Sequence, residues 1–474
     1  MNDQRNTILA VILSGLVLIA WQYFYNVPTM EKRQAEQKMQ AQVTSPQPGT
    51  PSTAPAPQGS AQGTPQPGAV PGQTTVAPAV SREAALAAGP RIKIETPKVT
   101  GSIALKGARI DDLSLTQYRE TVDPKSPAIV LFAPSGTAQP YYAEFGWVGA
   151  TGANAKMPDQ NTVWRQDGSG ALTPSSPVTL SYDNGEGLVF RRTIAVDDKY
   201  LFTLKDTVEN KGSSPVTLYP FALISRHGTP HVSGYYILHE GLIGVLDKLE
   251  EVSYKTIEEK KNLTFNVTNG WLGLTDKYWA AALLPNTDAK LQAHFSSGQI
   301  GSLKTYQSDY LLDAQTIAPG ATGTADARLF AGAKEVGVIN AYDEALRLNK
   351  FDRLIDWGWF YFITKPMFWA IDYLYRLVGN FGIAILLVTV LVKAIFFPLA
   401  NKSYASMAKM KQVQPEMTKL RELYPDDKVK QQQEMMALYK REKINPLAGC
   451  LPIAIQIPVF FSLYKVLFVT IEMR

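Results

Sequence analysis

The stretch Asn380–Ala400, NFGIAILLVTVLVKAIFFPLA, decides how the chain is organised. At about 1.5 Å per residue, a helix of this length extends over roughly 30 Å, the thickness of the hydrocarbon core of a bilayer. Lys393 is its one charged residue, and a lysine at the centre of a membrane helix costs roughly 2.5–3.5 kcal/mol on insertion scales. The pattern predicts a span whose cation faces a polar cavity or a partner. The alternative is that Lys393 extends its flexible side chain to the membrane surface.

Composition excludes several classes of protein. The chain has 474 residues, a formal net charge of +5 and one cysteine, Cys450, so an intrachain disulfide is excluded. Cys450 lies in an apolar run, which favours a buried role. The sequence contains no nucleophile elbow, P-loop or dinucleotide fingerprint, and its basic excess is too small to indicate nucleic-acid binding. We therefore predict no catalytic residues, no cofactor and no dedicated nucleic-acid site.

The amino-terminal segment 1–27 is predicted to be a transmembrane anchor with its amino terminus in the cytoplasm. Its apolar core at 7–25 follows Arg5 and ends in aromatic residues, as membrane-interface positions often do. A cleaved signal peptide is the alternative, but no small-x-small cleavage pattern follows the core. Segment 28–89, rich in proline and glycine, is predicted to be a flexible tether.

Segment 90–333 contains short alternating strands separated by turn residues, which predicts a large antiparallel β-sandwich. Apolar residues occupy alternate positions within Phe202–Val208, for example. His227, His231 and His239 are spaced as in a helical metal site, but this stretch has the pattern of strand and loop, and no carboxylate or cysteine cluster completes a ligand set. We predict ordinary surface or hydrogen-bonded histidines and no metal.

Segment 334–378 is predicted to contain a connecting helix at 334–350 followed by an amphipathic helix. Lys365, Asp372 and Arg376 fall within about 40° of one another on a helical wheel, so the second helix has a polar face. Pro366 suits a first helical turn and predicts a break there. The many aromatic residues favour a helix that lies along the membrane surface.

Segment 379–400 is the predicted span, and segment 401–446 is predicted to be a cytoplasmic helical hairpin. The second segment carries ten lysines and arginines against six acids, and short loops rich in these cations stay in the cytoplasm. Two spans then precede it, which places residues 28–378 in the periplasm. Pro425-Asp426-Asp427 predicts the turn, with one of the two aspartates placed to cap the second helix.

Five of the eleven methionines lie in this hairpin, at Met407, Met410, Met417, Met435 and Met436. One interpretation is that they only pack the two helices together. The other is a docking site for nascent hydrophobic segments, since methionine surfaces adapt to varied apolar partners.

Segment 447–474 is predicted to form the last span. Pro452 and Pro458 interrupt it, and Gln456 places a polar group about 14 Å in from Leu447. Lys465 is predicted to extend to the outer membrane surface.

The order of these elements resembles the YidC family of membrane-protein insertases of Gram-negative bacteria. The closest segments are FPLANKSYASMAKMKQVQPEMTKLRE at 397–422 and QQQEMMALYKREKINPLAGCLPIAIQIPVFFSLYKVL at 431–467. The resemblance implies an α-helical transmembrane bundle around a groove of five helices that opens to cytoplasm and lipid, with 380–400 and 447–471 as its first two. Lys393 matches the groove cation, where the family commonly has arginine, and Thr389 lies one turn away. Gln456, Ile457 and Phe460 match a substrate slide.

The resemblance also implies a function that is not enzymatic, namely insertion and folding of nascent inner-membrane proteins, alone or with the Sec translocon. Its implied partners are nascent membrane proteins, the ribosome, Sec translocon components and the lipid bilayer. The sandwich resembles sugar-mutarotase-like supersandwiches, but no catalytic residues can be matched. Family members continue past Arg474 with further spans, so we expect a fragment or a truncated product.

Two alternative functions are a membrane-anchored periplasmic sugar-binding or sugar-active protein and a passive scaffold of the secretion machinery. Deleting the sandwich would abolish the function of such an enzyme, whereas an insertase would tolerate it. A scaffold would be indifferent to the charge at Lys393.

Overall fold

The computed structural model describes residues 79–150, 155–232, 237–425, 427–442 and 451–474. The predicted anchor at 1–27, most of the predicted tether and Cys450 lie outside the described residues.

Alternation of buried and exposed side chains along the strands produces two packed sheets. In strand β9 (Leu201–Asn210), Phe202 and Leu204 are buried whereas Thr203 and Lys205 are exposed. Successive side chains of a strand point to opposite faces, so one face of β9 lies against the core. The prediction of a large antiparallel β-sandwich is confirmed.

The described strands are β1 Arg91–Glu95, β2 Val99–Ala104, β3 Arg109–Arg119, β4 Ala128–Phe132, β5 Tyr141–Gly149, β6 Arg165–Asp167, β7 Val178–Asp183, β8 Leu188–Val196, β9, β10 Val216–His227, β11 Gly241–Leu246, β12 Lys248–Ser253, β13 Asn262–Thr268, β14 Trp271–Thr275, β15 Trp279–Leu283, β16 Lys290–Ile300, β17 Leu303–Leu312, β18 Gln315–Ile317 and β19 Thr322–Ala333. Of these, ten form one sheet, in the order β1-β2-β3-β5-β10-β17-β16-β13 with β4 on β3 and β18 on β10. The other nine form the second sheet, in the order β12-β11-β14-β15-β19-β9-β8-β7-β6.

A buried arginine joins the two sheets. Arg192 on β8 is 1% exposed and forms an ion pair with Asp206 of the neighbouring strand, at 2.6 Å. The same guanidinium donates to the carbonyl of Phe145 on β5, in the other sheet, at 2.6 Å. Because a buried charge must be paired and hydrogen-bonded, Arg192 fixes the two layers at this point.

The described helices are α1 Arg82–Ala87, α2 Tyr254–Lys260, α3 Val336–Ala345, α4 Tyr361–Val378, α5 Phe381–Leu423, α6 Lys428–Arg441 and α7 Leu451–Val469, with 3₁₀ turns at Phe351–Leu354 and Ile471–Met473. Of these, α5 and the Pro452–Val469 part of α7 are long and apolar enough to cross a membrane.

The predicted end of the tether at residue 89 is wrong. Helix α1 lies inside that segment, with Ser81 accepting a capping hydrogen bond from the amide of Ala84 at 3.2 Å. Arg82 donates to Asp112 and to Ser114 of β3. The sandwich contacts therefore begin by Val80, whose amide donates to the carbonyl of Gly136. The reason is that a serine cap and an alanine-rich sequence favour a helix at these residues.

The predicted break at Pro366 is also wrong. Helix α4 begins at Tyr361 and continues through the proline. The amide and hydroxyl of Thr364 both donate to the carbonyl of Phe360, at 2.9 Å, so the first turn closes before the proline removes a donor. Met367 and Phe368 on the apolar side are buried.

Helix α5 continues without a break for 43 residues, or about 65 Å, so that the predicted span and the first half of the hairpin form one rod. Helix α6 begins after Asp427, whose carboxylate accepts from the amide of Lys430 at 2.9 Å. The two helices touch where the hydroxyl of Tyr439 lies 3.7 Å from the sulfur of Met417.

Lys465, predicted to extend to the outer membrane surface, has a specific partner in the connection that precedes α4. Its side chain is 1% exposed, and its Nζ lies 2.8 Å from a carboxylate oxygen of Asp356. A buried partner satisfies the amine locally, so the side chain does not need to reach water. Sequence spacing along α7 could not show this because Asp356 comes from the connection before α4.

Candidate functional site

The candidate site lies between α5 and α7, where a lysine meets an amide. Nζ of Lys393 donates to Oε1 of Gln456 at 3.3 Å. The same amine lies 5.4 Å from the centre of the Phe460 ring, within the range of a cation–π contact. The cation is thus held by one neutral hydrogen-bond acceptor and one aromatic face, with no carboxylate among these contacts.

Helical spacing explains the composition of the site. Thr389 and Lys393 lie four residues apart and Gln456 and Phe460 lie four apart, so each pair shares one face of its helix. The hydroxyl of Thr389 donates to the carbonyl of Ile385 at 2.8 Å, which leaves its oxygen lone pairs available to a further donor.

A small cavity of about 20 Å³ separates the two helices, enough for one water molecule. Its lining residues come from α4, α5 and α7: Met367, Val388, Thr389, Val392, Lys393, Gln456, Val459, Phe460 and Leu463. Four of the five predicted groove residues therefore meet here, and their roles stay predictions. Ile457 does not line the cavity, since it points outward and is 63% exposed.

An exposed apolar stripe runs beside the cavity on α7. Its members, spaced by four, three and four residues along one face, are Ile453, Ile457, Phe460 and Tyr464. In a soluble helix this much exposed apolar surface would mark an interaction site, and in a membrane helix it faces lipid or another helix.

Sequence reasoning missed five contributors to the cavity wall: Met367, Val388, Val392, Val459 and Leu463. They are ordinary apolar residues in apolar helices, so no local signal distinguishes them. It also missed Asp356. That residue could have been sought, because an ionisable residue such as Lys465 within a span predicts a partner.

The methionines of the hairpin fall into two groups. Met407 and Met436 are about half exposed, at 51% and 47%. Met410, Met417 and Met435 are partly buried. Each interpretation of the hairpin methionines thus fits some of them. The partly buried group fits a packing role, and the half-exposed group fits an open docking surface.

The histidines of the sandwich have separate environments. His227 is buried beside the Tyr142 ring, and burial, together with the charge of Arg109, lowers its pKa to about 4. The ring of His239 contacts the carbonyl of Leu242 at 2.9 Å, and His231 is exposed. Within the described parts of the chain, no group of three or more potential ligands could hold a metal ion.

Comparisons with known proteins cover both parts of the chain. The family model described as the YidC periplasmic domain matches residues 91–370, and the one described as the 60Kd inner membrane protein matches residues 373–474. These two matches include the sandwich and the helices that form the candidate site.

Full-length relatives show the same assignment. The chain is 67% identical to a membrane protein insertase YidC from Bradyrhizobium diazoefficiens, over all of this chain and 79% of that one. It is 66% identical to the one from Nitrobacter hamburgensis, over all of this chain and 77% of that one. A solved structure described as an active YidC insertase aligns over 85% of this chain and 74% of that one. It has 18% identity and a TM-score of 0.27, which is too distant to carry an argument.

The predicted resemblance is therefore confirmed by relatives of high identity over the whole chain and by family models on both of its parts. The chain belongs to the YidC family of membrane protein insertases of the bacterial inner membrane.

Proposed function

We propose that this chain inserts nascent membrane segments by attracting the polar or acidic tail of the incoming helix to Lys393. The observation that carries the proposal is the pairing of the Lys393 amine with the neutral Gln456 beside a cavity of water size, between two apolar helices. An amine without a carboxylate partner keeps its full charge for a visiting anion.

The charge is the functional property required of residue 393. Lysine replaces the arginine common in the family, and an ammonium group lacks the two-pronged donor pattern of a guanidinium. A point charge is therefore sufficient for attraction of a tail. A negative charge that moves outward also gains about 2.3 kcal/mol per 100 mV when the outside is positive.

The exposed stripe of α7 provides the path for the apolar part of the substrate. Ile457 and Phe460 both lie on it, and Phe460 is in contact with the cation, so the tail can reach Lys393 while the segment remains against apolar side chains. Burial at roughly 0.8 kcal/mol per CH₂ then drives a twenty-residue segment into lipid without nucleotide hydrolysis.

The hairpin of α5 and α6 serves as the cytoplasmic entry. Its excess of lysine and arginine favours the cytoplasm. Half-exposed Met407 and Met436 offer an apolar surface that adapts to varied segments. In this arrangement residues 28–378 are periplasmic. The ribosome and Sec translocon components are partners of the chain during insertion.

The test compares Lys393→Arg with Lys393→Glu in cells that depend on this protein. We expect Arg to support insertion of a substrate with an acidic tail and Glu to abolish it. Insertion of a matched substrate whose acidic tail residues are changed to Asn and Gln should be much less affected by Lys393→Glu. Equal insertion of the acidic substrate by both variants would refute the attraction.

A further inference from the structure

We propose that Asp356 and Lys465 form a positioning pair that sets the rotation and depth of α7, and so aims Gln456 and Phe460 at Lys393. The inference rests on the proposed function, since it assigns the pair a role in aligning the proposed groove. Neither residue touches the groove, so both act through the helix.

The pair is enclosed and anchored on both sides. Lys465 donates to Asp356 at 2.8 Å and also to the carbonyl of Ile237. Asp356 in turn accepts from the amide of His239 at 2.9 Å and from the amide of Gly358 at 3.0 Å. The outer end of α7 is thereby tied to a loop of the sandwich and to the connection that precedes α4.

The pair and the groove lie on opposite sides of α7. Lys465 follows Gln456 by nine residues, which corresponds to about 900°, or two and a half turns, and roughly 14 Å along the axis. A helix held at one point can turn about its axis. A helix held by Asp356 on one side and facing Lys393 on the other has one rotation that satisfies both contacts.

The backbone at Gly358 has a left-handed conformation and lies against the side chain of Lys465. Gly358 has a φ of +73°, a conformation that side chains disfavour, and a Cβ added there would lie 3.2 Å from Cε of Lys465. This turn therefore combines a left-handed conformation with a close approach to the lysine stem, and both features favour glycine.

Stability alone does not explain the pair. Apolar residues of similar volume often replace a buried ion pair with no loss of stability. An ion pair with further hydrogen bonds differs from apolar packing because it allows one geometry. Specification of the position of α7 is the property that the pair adds.

The test measures the geometry of the groove directly in the full chain in lipid nanodiscs. Spin labels on cysteines replacing the exposed residues Leu386 and Ile453, in a Cys450→Ser background, report the distance between α5 and α7 by pulsed electron resonance. We expect a narrow distribution in the parent and in Lys465→Arg, and a shifted, broader one in Lys465→Met. Lys365→Met, which removes the 2.9 Å ion pair of α4 with Asp352, is the matched control and should resemble the parent.

A second variant covers the case in which Lys465→Met fails to accumulate. Lys465→Met with Asp356→Asn removes both charges and keeps, in the single carbonyl oxygen of asparagine, an acceptor for one of the two amides, that of His239 or that of Gly358. It should accumulate and still show the broadened distribution. A parent-like distribution in either variant would overturn the positioning role.

Insertion assays separate this inference from the proposed function. A misaimed α7 should impair acidic-tail and neutral-tail substrates alike, whereas Lys393→Glu should impair acidic tails selectively. Loss of acidic-tail insertion alone in Lys465→Met would contradict positioning. The distance measurement does not depend on substrate, so it stands even if the attraction to Lys393 is refuted.

Discussion

Lys393 on α5 and Gln456 on α7 are 63 residues apart in sequence, yet Nζ of the first donates to Oε1 of the second at 3.3 Å. The acceptor is neutral, and this is the detail on which the charge of the site depends. A carboxylate at the same place would form an ion pair with the lysine and remove its attraction for an incoming acidic tail.

Gln456→Glu should therefore reduce insertion of acidic-tail substrates by roughly tenfold or more, since a carboxylate about 3–4 Å from the amine neutralises it. The rate of membrane insertion in cells or proteoliposomes measures the effect. Gln456→Met is the matched control because it removes the acceptor and leaves the cation, so its effect should be much smaller. Equal loss in both variants would mean that the amide itself, rather than the charge, is required.

Met407→Ser and Met436→Ser should weaken contact with nascent segments without unfolding the hairpin, because both side chains are already about half exposed. The measurement is photo-crosslinking from a neighbouring hairpin position to a stalled nascent membrane protein. Leu438→Ala is the structural comparison, since Leu438 is 4% exposed and its truncation should cost about 2–3 kcal/mol of hairpin stability. Unchanged crosslinking in the variant that carries both Met407→Ser and Met436→Ser would mean that the hairpin methionines have a packing role only.

Arg192→Met should destabilise the sandwich by about 3–5 kcal/mol, because it leaves the Asp206 carboxylate buried without its partner and removes the bond to Phe145 in the opposite sheet. Denaturant unfolding of the full chain, followed by tryptophan fluorescence, measures the change. Arg192→Met combined with Asp206→Leu should recover a large part of the loss. An unfolding midpoint for the single variant equal to the parent's would show that the pair does not join the layers.

Stability of the sandwich should fall as the pH decreases from about 6.5 to about 4, in part through His227. Burial lowers the pKa of this histidine to about 4 in the folded chain, below its ordinary 6.5. The unfolded chain therefore binds a proton in this window that the folded chain does not, and the loss is complete below about pH 4. Its size is about 3 kcal/mol.

His227→Phe keeps an aromatic ring beside Tyr142 and should flatten this part of the pH profile, measured by unfolding at several pH values. His231→Asn changes an exposed histidine and should leave the profile as it is. A profile that keeps its full slope in His227→Phe would assign the pH dependence to other groups.

Local chemistry in the sequence predicts much of the fold. Phe202 and Leu204 alternate with polar residues, and that alternation alone indicates a strand with one buried face. Asp427 precedes a helical pattern and caps it, because a capping contact involves residues only three apart. A helix around Lys393 that is long and apolar enough to cross a membrane follows from the length and hydrophobicity of that stretch.

Long-range contacts could not be predicted in this way. Pro366 suggests a helix start when only its neighbours in sequence are considered. In the structure α4 begins earlier, and its first turn is already closed by Thr364. The order of strands in the two sheets depends on crossovers between distant segments, which no single stretch encodes.

The sequence by itself therefore determined where the chain alternates, where it is apolar for a membrane's thickness, and that a lone lysine sits within that apolar length. Tertiary structure alone decided that Gln456 faces that lysine and that Asp356 forms an ion pair with the buried Lys465. The physical reason is range. Periodicity and capping act over a few residues, whereas the environment of a charge depends on whichever distant groups the fold brings within hydrogen-bonding distance.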